Sequence, residues 1–563
     1  MLRHRIYSFF LLFSFLLVTI PCSLAAVIGE KAMVVTSDPR ATQAALEVLK
    51  EGGNAVDAAV AAQWVLNVVQ PQASGLGGSG YLLLYDIGVR RILFFDGGVQ
   101  APEEAFPDMF FEKNGTLLPY GERSTGGLAV GTPGILRMME DVQTRYGTKK
   151  FSFAKLFEPA LKYAEEMTDV SAGLADSLET HRRRLEGFDA GTLVFFENGK
   201  PLQKGDRLLQ LDLAKTFRLI QKGGADAFYR GVIAKAVIRA VHKNPRRAGL
   251  LSYRDLEHYK TAKRDPVHGT YQGYDLFSAC PPSTGGVMLL RGLNLLAHFG
   301  IPGFGKGAET YHLLTEVQKL AFPAQASVAD PDIFNIPVEK LLSQEWSQQR
   351  AEKIKFDKIL PARSDAAAVF EKEKDPAWSS ILVVDSHGSM VALSSTLGDA
   401  FGSGMLVPEH GFFLNDQLTD FDTDLTSVKD PASANIPAGG QRPRNTAVPT
   451  FLFKEGKPQL VLDAFGVKDP AALLLNFLVQ KIDLGGSYQD AMKAPRVLDD
   501  AGVLRVEPDL YGDEVARVKL ELWGHTLKRN LTIGNVQMIC FVDDFGKIVG
   551  ESDPRGQGSA SGL

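Results

Sequence analysis

Cysteine is scarce, three in 563 residues, too few for a disulfide-stapled scaffold, and no Cys/His grouping has the spacing of zinc ligands. A surplus of one charge is also missing. The 61 basic and 66 acidic side chains leave a net charge of −5, which gives no footprint for nucleic acid. No G-x-S-x-G elbow, no H-E-x-x-H pair and no internal repeat occurs. Nothing calls for a metal or an organic cofactor. No apolar run reaches the roughly 20 residues that cross a bilayer. What remains, 45% hydrophobic and 23% charged, is ordinary globular composition, in one large domain or several.

The N-terminus reads as a secretory signal over residues 1–25. Arg3, His4 and Arg5 precede the apolar stretch Ile6 to Ile20, Pro21 ends it, and Ser23-Leu24-Ala25 offers small residues for cleavage. The expectation is an exported protein, secreted or periplasmic, with no integral membrane segment once the signal is removed. Cys22 leaves with the signal. Cys280 and Cys540 then stand either as a pair in an oxidising compartment or as two buried thiols.

Ala32 to Thr36 reads as a strand, Ala41 to Lys50 as a helix closed by Gly52-Gly53, and Ala55 to Val69 as a helix apolar on every side. Gly75, Gly77 and Gly80 then satisfy G-x-G-x-x-G, but a helix precedes the loop and the strand Tyr81 to Asp86 follows it. A dinucleotide fingerprint needs the reverse order, so that the helix N-terminus can hold a pyrophosphate. Residues 151–243 read as mainly helical, as do Gly286 to Phe299, Glu309 to Phe322 and Ala471 to Gln480. Asp357 to Pro376 reads as a polar surface linker. Strand signals follow at Ser379 to Val384, Ser389 to Ser395, Phe412 to Leu414, Pro449 to Phe453, Leu460 to Leu462, Gln537 to Val542 and Lys547 to Val549. The Gly/Ser tail after Pro554 reads as low-complexity. Helical layers around a strand-rich middle predict one layered α+β sandwich.

Several segments carry a resemblance. They are Gly52-Gly53-Asn54-Ala55-Val56-Asp57-Ala58-Ala59, Ser74-Gly75-Leu76-Gly77-Gly78, Gly131-Thr132-Pro133-Gly134, Pro281-Pro282-Ser283-Thr284-Gly285-Gly286, Phe401-Gly402-Ser403-Gly404, Leu414 to Phe421 and Ser552-Asp553-Pro554-Arg555. In this order and spacing the chain resembles the γ-glutamyltranspeptidase (glutathione hydrolase) family of N-terminal-nucleophile hydrolases. The resemblance implies a four-layer αββα sandwich. It also implies a precursor that cuts itself in two, exposing a threonine whose hydroxyl attacks and whose freed amine serves as base. Residues 26–377 would then be large-subunit-like and 378–563 small-subunit-like, both parts of one fold.

The chemistry positions depart from that pattern. The family's T-T-H-[FY]-S-V-V-D resembles Trp378-Ser379-Ser380-Ile381-Leu382-Val383-Val384-Asp385, which puts Trp378 where the threonine belongs. An indole offers no nucleophilic oxygen. Gly98 stands where the resemblance implies an arginine for a substrate carboxylate, and glycine offers nothing like a bidentate guanidinium. Gly398 replaces an asparagine, Asn445-Thr446 a serine pair, and Gly466-Val467 an oxyanion-loop Gly-Gly. Thr396 keeps the position whose hydroxyl supports the nucleophile. Gln417 and Asp420 keep substrate-amine positions, or else brace their own loop.

Two function classes follow. The first is an uncut, non-catalytic relative that binds a small amide or amino-acid-like molecule in the remnant cleft. The second is an amidohydrolase or acyltransferase using Ser379, on γ-glutamyl or other amide substrates. A one-residue shift along a strand turns a side chain to the opposite face, and only a bulge before Ile381 would bring Ser379 round. The first class is favoured. His387, at a turn, is read as solvent-facing.

Overall fold

The apolar strand segments pair into two seven-stranded sheets. The first runs, in spatial order, Ser559–Gly562, Met33–Thr36, Pro376–Val384, Met390–Asp399, Ser79–Asp86, Arg91–Gly97 and Ala262–Arg264. The second runs Val27–Gly29, Ile548–Ser552, Asn535–Phe541, Lys457–Phe465, Thr450–Lys454, Tyr274–Ser278 and Val267–Tyr271. Within both, neighbouring strands are antiparallel. The computed structural model describes residues 26–243, 247–362, 374–423, 434–542 and 547–563. The signal segment 1–25 and much of the expected linker at 357–376 lie outside them.

Alternation along the strands divides the side chains between two apolar layers. Leu382, Val384, Met390 and Ala392 share a core with Phe451, Val461 and Ile539 of the second sheet. Tyr85 and Phe453 meet across that gap with ring centroids 5.2 Å apart. Ile381, Val383, Val391 and Leu393 face the other way, into a core with the helices Pro39–Lys50, Ala55–Val69 and Ile135–Tyr146. Helices Gly285–Leu296, Ala308–Ala321 and Ala471–Leu478 cover the second sheet. The order is helix, sheet, sheet, helix: a four-layer αββα sandwich.

The helix Ala55–Val69 shows why the sequence folds this way locally. Asn54 caps it by accepting from the Val56 and Asp57 amides, and Asp57 accepts in return from the Asn54 amide. All 15 of its residues are buried. Its C-terminal neighbour Gln70 reaches from the helix layer to the first sheet, where it meets Ser37 and Ser379. The glycine loop that mimics a dinucleotide fingerprint serves close packing instead. A Cβ on Gly77 would lie 2.1 Å from the Phe413 carbonyl oxygen.

Two expectations are corrected. Phe412 to Leu414 is no strand: Phe413 and Leu414 make isolated bridges to Leu406 and Gly77. The Gly/Ser tail is structured, because Ser559–Gly562 forms the edge strand beside Met33–Thr36, and the Leu563 carbonyl accepts from the Glu30 and Lys31 amides. Cys280 and Cys540 are both free and buried, and burial pushes each thiol up to about 12. His387 is exposed. Among the described residues no helix is long and apolar enough to cross a membrane.

Trp64 is fully buried in the Ala55–Val69 helix and stacks on Phe157 at 4.6 Å. Replacing it with alanine is expected to cost about 3–5 kcal/mol, read as a lower denaturation midpoint in guanidinium titration.

Candidate functional site

The strand Pro376–Val384 enters the first sheet through a register irregularity. Ala377 pairs with Gly398 and Trp378 with Thr396, so Leu397 of the neighbouring strand is passed over. From Trp378 onward the pairing is regular. Trp378 therefore shares a face with Leu382 and Val384, and its indole packs on the inter-sheet core, 5.9 Å from the Tyr81 ring. Ser379 takes the opposite face. Its hydroxyl donates to Gln70 Oε1 at 2.8 Å, and that oxygen also accepts from Ser37 at 2.8 Å. With 1% exposure, Ser379 is sealed into the helix layer. The irregularity precedes Trp378 and leaves the residues from Trp378 to Ile381 in simple alternation.

A small cleft opens at the head of this strand, walled by Trp378, Thr396, Gln417, Asp420, Asn445 and Thr446. Residues separated by 68 positions in sequence thus meet around one indole. Gly466 is not among the lining residues. It turns the chain after Lys457–Phe465 with φ +81°, and Val467 packs on the inter-sheet core.

Each retained group in the cleft is bound to the chain itself. Thr396 Oγ1 donates to the Ala377 carbonyl at 2.6 Å and accepts from the Gly398 amide at 2.9 Å. Gln417 Oε1 accepts from Ser79 Oγ at 2.6 Å. Asp420 Oδ1 is paired with Lys374 Nζ, whose side chain is 7% exposed. Burial opposes that ammonium, but Asp420, Asp399 and Asp416 outweigh it and hold Lys374 above the ordinary lysine range. Asp416 is itself pushed up to about 7, first by burial and then by Asp399. Lys374 was not singled out from sequence. It sits in the alternating run Glu371-Lys372-Glu373-Lys374-Asp375, which reads as a solvated face and carries no signal of a return into the cleft.

The altered positions are closed sterically as well as chemically. Gly398 has φ +101°, and a Cβ there would lie 1.9 Å from Asp416 Oδ1. This backbone accepts no asparagine. A Cβ on Gly98 would come within 2.8 Å of Asp96 Oδ1 and 3.0 Å of the Tyr81 hydroxyl, so the room an arginine would need is filled. Asn445 spends its Oδ1 on the Ala447 amide at 3.1 Å.

Behind the indole, Asp463 lies fully buried between the sheets. It accepts from Ser394 Oγ at 2.9 and 3.0 Å and from the Ala464 amide at 3.0 Å, yet burial pushes its carboxyl up to about 7. Among the described residues, one grouping has the donor types and spacing for a metal ion: His312, Glu316 and His525. Its donors are already engaged, His312 Nδ1 with His525 Nε2 at 2.8 Å and Glu316 with Lys319 Nζ at 2.8 Å. It lies outside the cleft.

The αββα sandwich, with a strand head opening on a cleft between its sheets, is the architecture of N-terminal-nucleophile hydrolases. The model of the gamma-glutamyltranspeptidase family matches residues 41–563. The chain is 35% identical over 554 residues to a glutathione hydrolase proenzyme of Bacillus subtilis, covering 95% of this chain and 92% of that one. To an Acylase ACY 1 proenzyme of a Pseudomonas species it is 30% identical, with 94% and 93% covered. Among solved structures, cephalosporin acylase from Bacillus halodurans superposes with a TM-score of 0.85 at 25% identity, over 98% of this chain and 99% of that one. The chain belongs to the gamma-glutamyltranspeptidase family.

Asp463 gives a pH-dependent expectation. The folded carboxyl titrates near 7 and an unfolded one near ~3.9. The folded state therefore binds the extra proton between those values, and stability falls as pH rises from about 4 to about 7, then levels. Asp463→Asn removes that cost. It should raise stability at pH 8 by on the order of 3 kcal/mol, with the gain shrinking toward pH 4, as measured by urea denaturation across pH.

Proposed function

We propose that this is a non-catalytic member of its family, exported and kept as one uncut chain, whose cleft holds a small amino-acid-like or amide ligand in place of a reacting one. The reading rests on one observation above the rest. The side chain at the head of the cleft strand is the Trp378 indole, while the nearest hydroxyl downstream, Ser379, faces the helix layer and donates to Gln70. Ser380 shares the face of Trp378 but lies two residues deeper, fully buried and outside the cleft lining, so neither chain cleavage nor an acyl-enzyme finds a hydroxyl nucleophile at the head of the strand.

The surrounding changes support the same reading. Gly98 is packed against Asp96 and Tyr81, and Gly398 against Asp416. A glutamyl carboxylate finds neither a guanidinium nor an asparagine at those positions. Relatives named glutathione hydrolase or acylase proenzymes support the fold and the location of the cleft, and the residues in the cleft are the ground for reading their chemistry as absent here. The apolar N-terminal run over residues 1–25, with its small-residue site, supports export.

Intact mass and denaturing gel mobility after prolonged incubation test the reading. One chain ending at Leu563 is expected. Two fragments, the smaller running from Ser379 to Leu563, would overturn it and make Ser379 the nucleophile. Ser379→Ala offers a second check against amide substrates: the variant and the parent should be equally inactive, whereas an activity lost on substitution would mark an enzyme.

A further inference from the structure

A second pocket also borders Trp378. Its volume is about 240 Å³, and it shares Trp378, and no other lining residue, with the cleft. Its walls come from distant parts of the chain. Gln70 and Gln72 follow the helix Ala55–Val69, Asn535 and Gln537 lie on the strand Asn535–Phe541, and Gln557 belongs to the bend ahead of Ser559–Gly562. Ser37 and Ser552 add hydroxyls, and Trp378 and Phe465 add aromatic walls. Gly558 leaves room for the polar groups, since a Cβ there would lie 2.3 Å from Ser552 Oγ and 3.0 Å from Gln537 Nε2.

The two charged side chains at this pocket are spent within the chain. Arg555 pairs with Glu507 at 2.6 Å and with Asp553 at 3.2 Å. Asp553 also accepts from Arg496 and from the Val536 amide at 2.8 Å. The carboxamides are served less fully. Gln70 is fixed by Ser37 and Ser379, but no donor among the described residues reaches Gln72 Oε1, Asn535 Oδ1 or Gln537 Oε1. Gln72 is 9% exposed and Gln537 1%. A carbonyl oxygen left without a donor at that depth is costly, and a carboxamide not held at its oxygen turns over readily to meet a ligand.

We propose that this pocket binds a neutral, hydroxyl-rich molecule of monosaccharide size. A hydroxyl both donates and accepts, as the carboxamides and serines around it do, so one sugar ring serves several of these side chains at once. Its C–H faces suit the Trp378 and Phe465 rings. A carboxylate ligand would meet oxygens that need donors and find Arg555 already paired, and an ammonium would find Asp553 already paired. The tryptophan that fills the head of the cleft thus gives its neighbour an apolar wall.

The test is calorimetry of the full-length protein with D-glucose, D-galactose and D-mannose. At least one should bind saturably, with a millimolar or lower dissociation constant. D-glucuronate and D-glucosamine keep the ring and add a charge, and each should bind at least ~10-fold more weakly. Cyclohexanol, a ring with a single hydroxyl, should not bind. Gln72→Met and Gln537→Met should each weaken sugar binding about tenfold. The melting temperature without sugar should not fall in either, because each substitution removes a buried oxygen that has no donor. Failure of all three sugars to bind, binding of glucuronate or cyclohexanol equal to that of the best sugar, or an affinity unchanged in either variant would overturn the proposal. So would an affinity lost only along with the melting temperature, which would mark a structural role. If Gln537→Met fails to fold, Gln72→Met, outside the sheet, decides. Intact mass of each sample reports separately on the reading of the cleft.

Discussion

The pleat of the strand Pro376–Val384 governs everything around the cleft. In an antiparallel sheet with regular pairing, a side chain has two choices of face and its parity decides between them. Leu382 and Val384 belong to the inter-sheet core, and Ile381 and Val383 to the helix layer. Both faces pack into large apolar cores, so a slip by one residue would drive each of the four side chains into the opposite core and undo the close packing on both sides. Trp378 and Ser379 inherit their faces from that constraint. A serine one position from the head of the cleft strand is near in sequence and turned to the opposite face.

The altered positions make sense as a set once the space around them is considered. A protein interior is packed nearly as tightly as an organic crystal, and a polar group left without a partner there is costly. A pocket without a charged ligand has both problems. Here the chain supplies the missing contacts. Tyr81 and Asp96 pack against Gly98, Asp416 stands against Gly398, Ser79 donates to Gln417, and Lys374 pairs with Asp420. The glycines are as informative as the tryptophan, because their neighbours stand where a side chain would have to go.

How much of this was legible in the sequence depended on how local each signal was. The helix Ala55–Val69 was read to the residue because Asn54 and Asp57 form a capping box and the apolar stretch has no ambiguity of face. The placement of Trp378, Thr396, Gln417 and Asp420 in one cleft came from a family pattern, since nothing in composition or periodicity brings positions so far apart together. The tail from Ser559 failed the reading because small polar residues carry no period. Its strand exists through backbone pairing with Met33–Thr36, a partner more than five hundred residues away. Lys374 failed for a related reason: in an alternating acidic and basic run, each lysine has the same local signature, and only the fold selects one.

An intact backbone and an occupied cleft support each other. Ala377, at the junction where the family pattern would place a cut, gives its carbonyl to Thr396 Oγ1 at 2.6 Å. In a protein with a nucleophile at the next residue, the hydroxyl of Thr396 would stand free to assist it, whereas here it is spent on holding the junction closed. The same strand entry carries Asp375 against Asp399 and delivers Lys374 to Asp420. All three contacts are made by the residues just ahead of Trp378. Without Lys374, Asp420 would be a nearly buried anion lacking its hydrogen-bonded cation, a costly state. The pair Lys374–Asp420 makes this end of the cleft part of the core's own charge balance.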